Sequence, residues 1–178
     1  SRKRIQVYLN AKKSEEIIFT KGTTDSINLV AFSFGELLQE GDEILISAME
    51  HHSNIVPWHF LRERYEAVLK WVPADEFGNL DMDVFHSFLN ERTKLVAITQ
   101  MSNALGTITP VAEIITAAHK NDIPVLVDGC QGSVHLSCDM QEMDCDFYVM
   151  SGHKLYGPSG VGVLYAKHKL LETMRPYR

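Results

Sequence analysis

The run Ser151-Gly152-His153-Lys154-Leu155-Tyr156-Gly157-Pro158-Ser159-Gly160 decides how this chain is read. Before it, Cys145 to Met150 is apolar and bounded by turn residues, the pattern of a buried strand; after it, Val161 to Tyr165 reads as a second, antiparallel-looking strand. Lys154 therefore falls in a glycine-punctuated loop just past a strand end. Glycines there let the backbone come close to a bound group, and Ser151 and His153 place donors on either side of the lysine. An ammonium group crowded by other cations, or desolvated, gives up its proton more readily and then attacks carbonyl carbon, which is the route to a Schiff base. A single loop lysine is more often plain solvated surface, so the reading needs a second group.

That group lies upstream. Pro124 to Val127 is a continuous apolar strand ending in Asp128-Gly129-Cys130-Gln131-Gly132. In an open parallel sheet, ligands sit beyond the carboxyl ends of the strands, which is where both Asp128 and Lys154 fall. A lysine beyond one strand and a carboxylate beyond the next suit pyridoxal phosphate: the lysine binds the aldehyde, and the carboxylate keeps the pyridine nitrogen protonated so that the ring accepts electrons.

Farther upstream, Arg2 to Lys13 reads as the end of a helix and Glu16 to Thr20 as a short strand. The segment Thr20-Lys21-Gly22-Thr23-Thr24-Asp25-Ser26 then reads as a strand end, a glycine turn and a helix start. Free N–H groups and a partial positive charge collect at such a start, and Thr23 and Thr24 add hydroxyls, so the unit is a candidate phosphate cradle. The plainer alternative is a threonine-capped helix. Asp42 to Ser47 is the next buried strand, and His51 just past it could stack on a planar cofactor and relay protons. The adjacent His51 and His52 diverge on either a strand or a helix, so no metal is expected. Ala67 to Pro73 and Lys94 to Thr99 are further strands, with helices at Asp81 to Asn90 and Pro110 to Lys120. Asn103, past the Lys94 strand, could simply cap a turn. The alternation implies a three-layer α/β/α domain on a mainly parallel sheet, one domain over residues 1–178.

Composition narrows the function. The 178 residues are 45% hydrophobic, enough for a substantial core, and a net charge of −6 offers no basic footprint for nucleic acid. No apolar run reaches a membrane span and the first residues lack a secretory pattern, so the expectation is a soluble cytoplasmic protein with no membrane partner. The odd set Cys130, Cys138 and Cys145, without a Cys-x-x-Cys pair, argues against a disulfide framework and a zinc ribbon.

The run Val-Leu-Val-Asp-Gly-Cys-Gln (125–131), followed by Asp-Phe-Tyr-Val-Met-Ser-Gly-His-Lys-Leu-Tyr-Gly-Pro (146–158), resembles the class V aminotransferase family of pyridoxal-phosphate fold type I. Within it, the chain looks most like the cysteine desulfurase and selenocysteine lyase group of the SufS type, from about Arg4 to Met174. The resemblance implies that Lys154 carries the cofactor, that Thr23, Thr24, Ser151 and His153 hold its phosphate and that Asp128 pairs with the ring nitrogen. It further implies that Gln131 donates to the phenolic oxygen, that Asn103 sits near that oxygen and the substrate, and that His51 covers the ring face and serves catalysis beside Lys154. It implies conversion of cysteine, or selenocysteine, to alanine with persulfide sulfur passed to an acceptor protein for iron–sulfur cluster assembly, in a homodimer. The family's nucleophilic cysteine and carboxylate-binding arginine match no residue here, and Cys130 stands where the family usually has alanine. The chain is thus expected to be the large domain, truncated at both ends and without the C-terminal small domain, and inactive alone as a desulfurase. Other class V enzymes (aminotransferase, epimerase, kynureninase-like lyase) share the cofactor residues, and a non-catalytic scaffold is the reading from a different class.

Overall fold

The structure, a computed structural model, describes residues 1–177. The chain runs through α1 (Arg2–Tyr8), a 3-10 turn at Ser14–Glu16, β1 (Ile17–Thr20), α2 (Thr23–Gly35), β2 (Glu43–Ser47), a 3-10 turn at His52–Asn54 and α3 (Val56–Tyr65). β3 (Val68–Val72), α4 (Met82–Phe88), β4 (Thr93–Thr99), α5 (Val111–His119), β5 (Val125–Asp128), α6 (Gly132–His135) and α7 (Met140–Met143) follow. β6 (Phe147–Ser151), a 3-10 turn at Gly152–Leu155, β7 (Gly162–Ala166) and α8 (His168–Leu171) complete it.

The seven strands form one sheet in the order β1-β7-β6-β5-β4-β2-β3. The five from β6 to β3 are parallel, whereas β7 is antiparallel to both β6 and β1. The parallel strands β2, β4, β5 and β6 are short apolar runs because neighbouring side chains point to opposite faces and both faces are covered. Ile44, Ile46, Leu95, Ala97, Leu126, Phe147, Val149 and Leu164 enter one core with α2 and α3, through Ile27, Val30, Phe34, Trp58 and Leu61. The alternate residues Leu45, Val96, Ile98, Val125, Val127, Tyr148, Met150 and Val163 enter the other, with Phe85, Ile114, Ile115 and Met140. The three-layer arrangement read from the sequence is therefore the observed one.

Helix α1 is shorter than the sequence suggests. It ends at Tyr8, Asn10 takes φ 48°, and the Gln6 amide donates to the carbonyls of Ala11 and Lys12, each at 3.2 Å. Leu9 and Ala11 are buried in the core, and a helix continued to Lys13 would not deliver both there.

Close backbone approach sets the sheet edge that carries α2. Thr20 pairs with Gly162, and a Cβ on Gly162 would lie 2.4 Å from the Gly22 Cα. The obstacle is backbone, so no rotamer change relieves it. Gly162→Ala is expected to lower stability by about 1–3 kcal/mol, read as a reduced urea midpoint with an unchanged slope; a midpoint equal to that of the unaltered chain would show that the glycine pair sets nothing.

Candidate active site

A sheet whose inner strands are buried on both faces leaves polar side chains room mainly at its rims. β1 points the same way as β6, since each is antiparallel to β7, so the strand ends at Thr20, Ser47, Thr99, Asp128 and Ser151 all open toward one rim. Strand order reverses between β2 and β4, the position where open α/β sheets form a crevice. A cavity of about 210 Å³ extends from there across the ends of β4, β5 and β6 to the start of α2. It is lined by Thr23, Thr24, His51, Asn103, Asp128, Gln131, Ser151, His153 and Lys154, all nine of the residues singled out from sequence, and by Ser53, Thr99, Met101 and Cys130.

The start of α2 forms one wall. The Thr23 N–H donates to Ser151 Oγ at 2.9 Å, and the two hydroxyls share a second hydrogen bond of 2.8 Å. Both residues are almost fully buried, so Ser151 ties the helix start to the end of β6. Thr24 is exposed, and among the described residues neither its N–H nor that of Asp25 meets a backbone or side-chain acceptor. Open amides at the positive end of a 13-residue helix suit an anion.

Asp128 forms the floor. It is 3% exposed, and its Oδ1 accepts the Cys130 N–H at 2.9 Å. No protein donor reaches Oδ2 among the described residues. Burial raises the carboxyl's pKa, against the opposing pull of the Cys130 N–H and of the positive charges at His51 and Lys154. Gly129, next in the chain, is required by packing, because a Cβ there would lie 1.9 Å from the Tyr148 ring. Across the cavity, the Lys154 amine makes no hydrogen bond or ion pair among the described residues, and its half-buried position keeps it at the wall. His153 and Asn103 lie exposed at the rim, and Gln131 is half-buried at the start of α6.

His51 is oriented by its own turn. Its Nδ1 accepts the Ser53 N–H at 3.1 Å and pairs with Ser53 Oγ at 2.8 Å, so the neutral ring carries its proton on Nε2. His52 is exposed and does not line the cavity. Among the described residues no group of His, Cys, Asp and Glu side chains is arranged to hold a metal ion.

Sequence reading passed over Glu50. Its buried carboxylate accepts the Ser47 hydroxyl at 2.5 Å, the Thr99 N–H at 2.9 Å and the Asn54 amide at 2.6 Å, and Asn54 in turn accepts from Trp58 Nε1 at 3.0 Å. It thereby binds the end of β2 to the end of β4 and to the turn that carries His51. The signal was present as Glu50, Asn54 and Trp58 at intervals of four, a ladder on one side of a helical turn. Desolvation is the largest cause lifting its pKa to about 7, with Asp128 adding to it and the three donors opposing.

Architecture and cavity define an α/β domain with a lysine-bearing, carboxylate-floored site beyond its parallel strand ends. The family model "Aminotransferase class-V" matches residues 1–178, and the chain belongs to that family. It is 52% identical over 177 residues to the cysteine desulfurase of Enterobacter sp., covering 99% of this chain and 44% of that protein. The crystal structure of the cysteine desulfurase CsdA from Escherichia coli superposes with a TM-score of 0.96 at 43% identity, over 99% of this chain and 45% of that one. A structure of the protein C-DES, with glycine covalently linked to its pyridoxal-phosphate cofactor, superposes at 0.89 with 27% identity, over 98% of this chain and 46% of the other. The chain thus spans less than half the length of the curated relatives named, and its fold is that of the pyridoxal-phosphate-dependent fold type I.

A carboxyl whose folded pKa lies above its usual 4.5 binds more protons folded than unfolded across that interval, so its contribution falls as pH rises from 4.5 to about 7 and is level above. In urea unfolding at pH 5 and pH 7.5, Glu50→Gln is expected to lose less stability over that rise than the unaltered chain does; equal losses would remove Glu50 as the titrating group.

Proposed function

We propose that this chain is the large, cofactor-holding domain of a pyridoxal-phosphate-dependent cysteine desulfurase. The observation that carries the reading is the convergence in one cavity of a lysine amine, a buried carboxylate oxygen and helix-start amides that have no protein partner among the described residues. These three groups match the aldehyde, the ring nitrogen and the phosphate of the cofactor. The relatives' function as cysteine desulfurases, at about half identity along the whole chain, supports the same reading.

In this reading Thr24, the N–H groups of Thr24 and Asp25 and His153 hold the phosphate, while Thr23 and Ser151, whose hydroxyls engage each other, shape that wall beside it. Asp128, with Oδ2 facing the cavity, would hold the protonated ring nitrogen; a cation there would oppose the burial that raises the carboxyl's pKa. When bound, pyridoxal phosphate supplies an electron sink for negative charge at the α-carbon of an amino acid. Lys154 holds the cofactor covalently and carries the proton at the substrate α-carbon. His51 covers the ring face, with Nε2 available to donate because Ser53 occupies Nδ1. Gln131 and Asn103 serve the side of the phenolic oxygen and the substrate.

The sulfur-attacking cysteine and the arginine for the substrate carboxylate come from outside residues 1–178. Cys138 and Cys145 are buried, and burial raises both thiols, so neither is a mobile nucleophile. Transfer of the sulfur to an acceptor protein for iron–sulfur assembly, use of selenocysteine as an alternative substrate, a homodimer and a cytoplasmic location belong to the same proposal. Among the described residues no helix is long and apolar enough to cross a membrane.

The full-length protein is expected to take up pyridoxal phosphate and to release alanine and sulfide from cysteine. Borohydride reduction should fix the pyridoxyl group on the peptide containing Lys154. Lys154→Ala should abolish that label and lower turnover by at least roughly a hundredfold. Label on another lysine, or turnover without alanine, would overturn the assignment.

A further inference from the structure

Cys130 is a cavity-lining residue whose chemistry the proposed function leaves unused. It is half-buried, in contrast to the buried Cys138 and Cys145. Its sulfur accepts the Thr23 hydroxyl at 3.3 Å, and its N–H donates to Asp128 Oδ1. The thiol therefore stands between the wall assigned to the phosphate and the carboxylate assigned to the ring nitrogen. The space beside it is ligand space on independent grounds: Asp128, 3% exposed, leaves Oδ2 in that cavity without a protein donor among the described residues. With a volume of about 210 Å³, the cavity has little room for both a planar cofactor and any group attached to the sulfur.

We propose that Cys130 is a thiol-modification site that controls cofactor loading. It exchanges with a small disulfide, and the attached group takes up the space of the ring, while bound cofactor shields the sulfur. The step balances as ordinary thiol–disulfide exchange: the Cys130 sulfur attacks one sulfur of the disulfide, that S–S bond breaks as a new one forms, and the departing thiolate takes up the proton that Cys130 lost. Net, Cys130 is oxidised to the mixed disulfide and half of the reagent is reduced to thiol. The mixed disulfide is reversible by added thiol, so loading would follow the supply of small disulfides. This inference rests on the proposed cofactor site.

The test uses the full-length protein depleted of cofactor and cystamine as the disulfide, with uptake of pyridoxal phosphate read by absorbance and Cys130 read by peptide mass. Cystamine is expected to modify Cys130 and to cut uptake by about tenfold or more, with recovery on adding dithiothreitol. Loading with pyridoxal phosphate first should slow Cys130 modification by a similar factor of about ten. In Cys130→Ala, uptake with and without cystamine should be the same. A Cys130 adduct that leaves uptake unchanged, no protection by bound cofactor, or an equal cystamine effect in Cys130→Ala overturns this inference alone. If the untreated protein takes up no cofactor, the proposed function falls and this inference with it.

Discussion

Two hydrogen bonds between Thr23 and Ser151, residues 128 positions apart, hold the working end of this domain together. They join the first turn of α2 to the end of β6 where the antiparallel edge meets the parallel sheet. Gly162 permits the join, because a Cβ there would lie 2.4 Å from the Gly22 Cα, whereas a Cβ on Gly22 would meet only Ser151 Oγ at 3.6 Å. Without this closure the open amides of α2 would have no fixed relation to the loop that carries Lys154. The strong packing of both cores supports the closure but does not direct it, since apolar contacts are non-directional and hydrogen bonds are not.

The rim also concentrates buried carboxyl groups. Glu50 and Asp128 both lie beneath the cavity, and desolvation raises the pKa of each. They are treated differently by their surroundings. Glu50 is enclosed by three donors and braces β2 against β4, whereas Asp128 has one donor and an oxygen left open. A closed carboxylate serves as a structural tie, and an open one is available to a ligand. The same contrast separates Ser151, whose hydroxyl is engaged with Thr23, from Lys154, whose amine has no protein partner among the described residues.

Much of this arrangement was legible in the chain. Short apolar runs bounded by glycine, proline and polar residues identified β2, β4, β5 and β6, and the rule that ligands gather past parallel strand ends singled out Asp128 and Lys154. The Thr20–Asp25 segment read correctly as strand, turn and helix start. The extent of α1 did not: Asn10, in the left-handed region at φ 48° just past the helix end, is a local stop that the reading ran through, and the turn it makes lets both Leu9 and Ala11 be buried. Glu50 was passed over because a charged residue is ordinarily exposed, and its burial is created by contacts with Thr99, 49 residues away.

Local sequence alone determined which segments become the central strands and which side chains lie past strand ends, since these follow from periodicity and turn chemistry over a few residues. Only the tertiary structure decided that β1 and β6 end at the same rim, that Ser151 spends its hydroxyl on Thr23, and that one oxygen of Asp128 stays open while Glu50 is closed. Strand order and the sharing of buried hydrogen bonds depend on residues brought together across tens of positions, and no short-range pattern encodes those encounters.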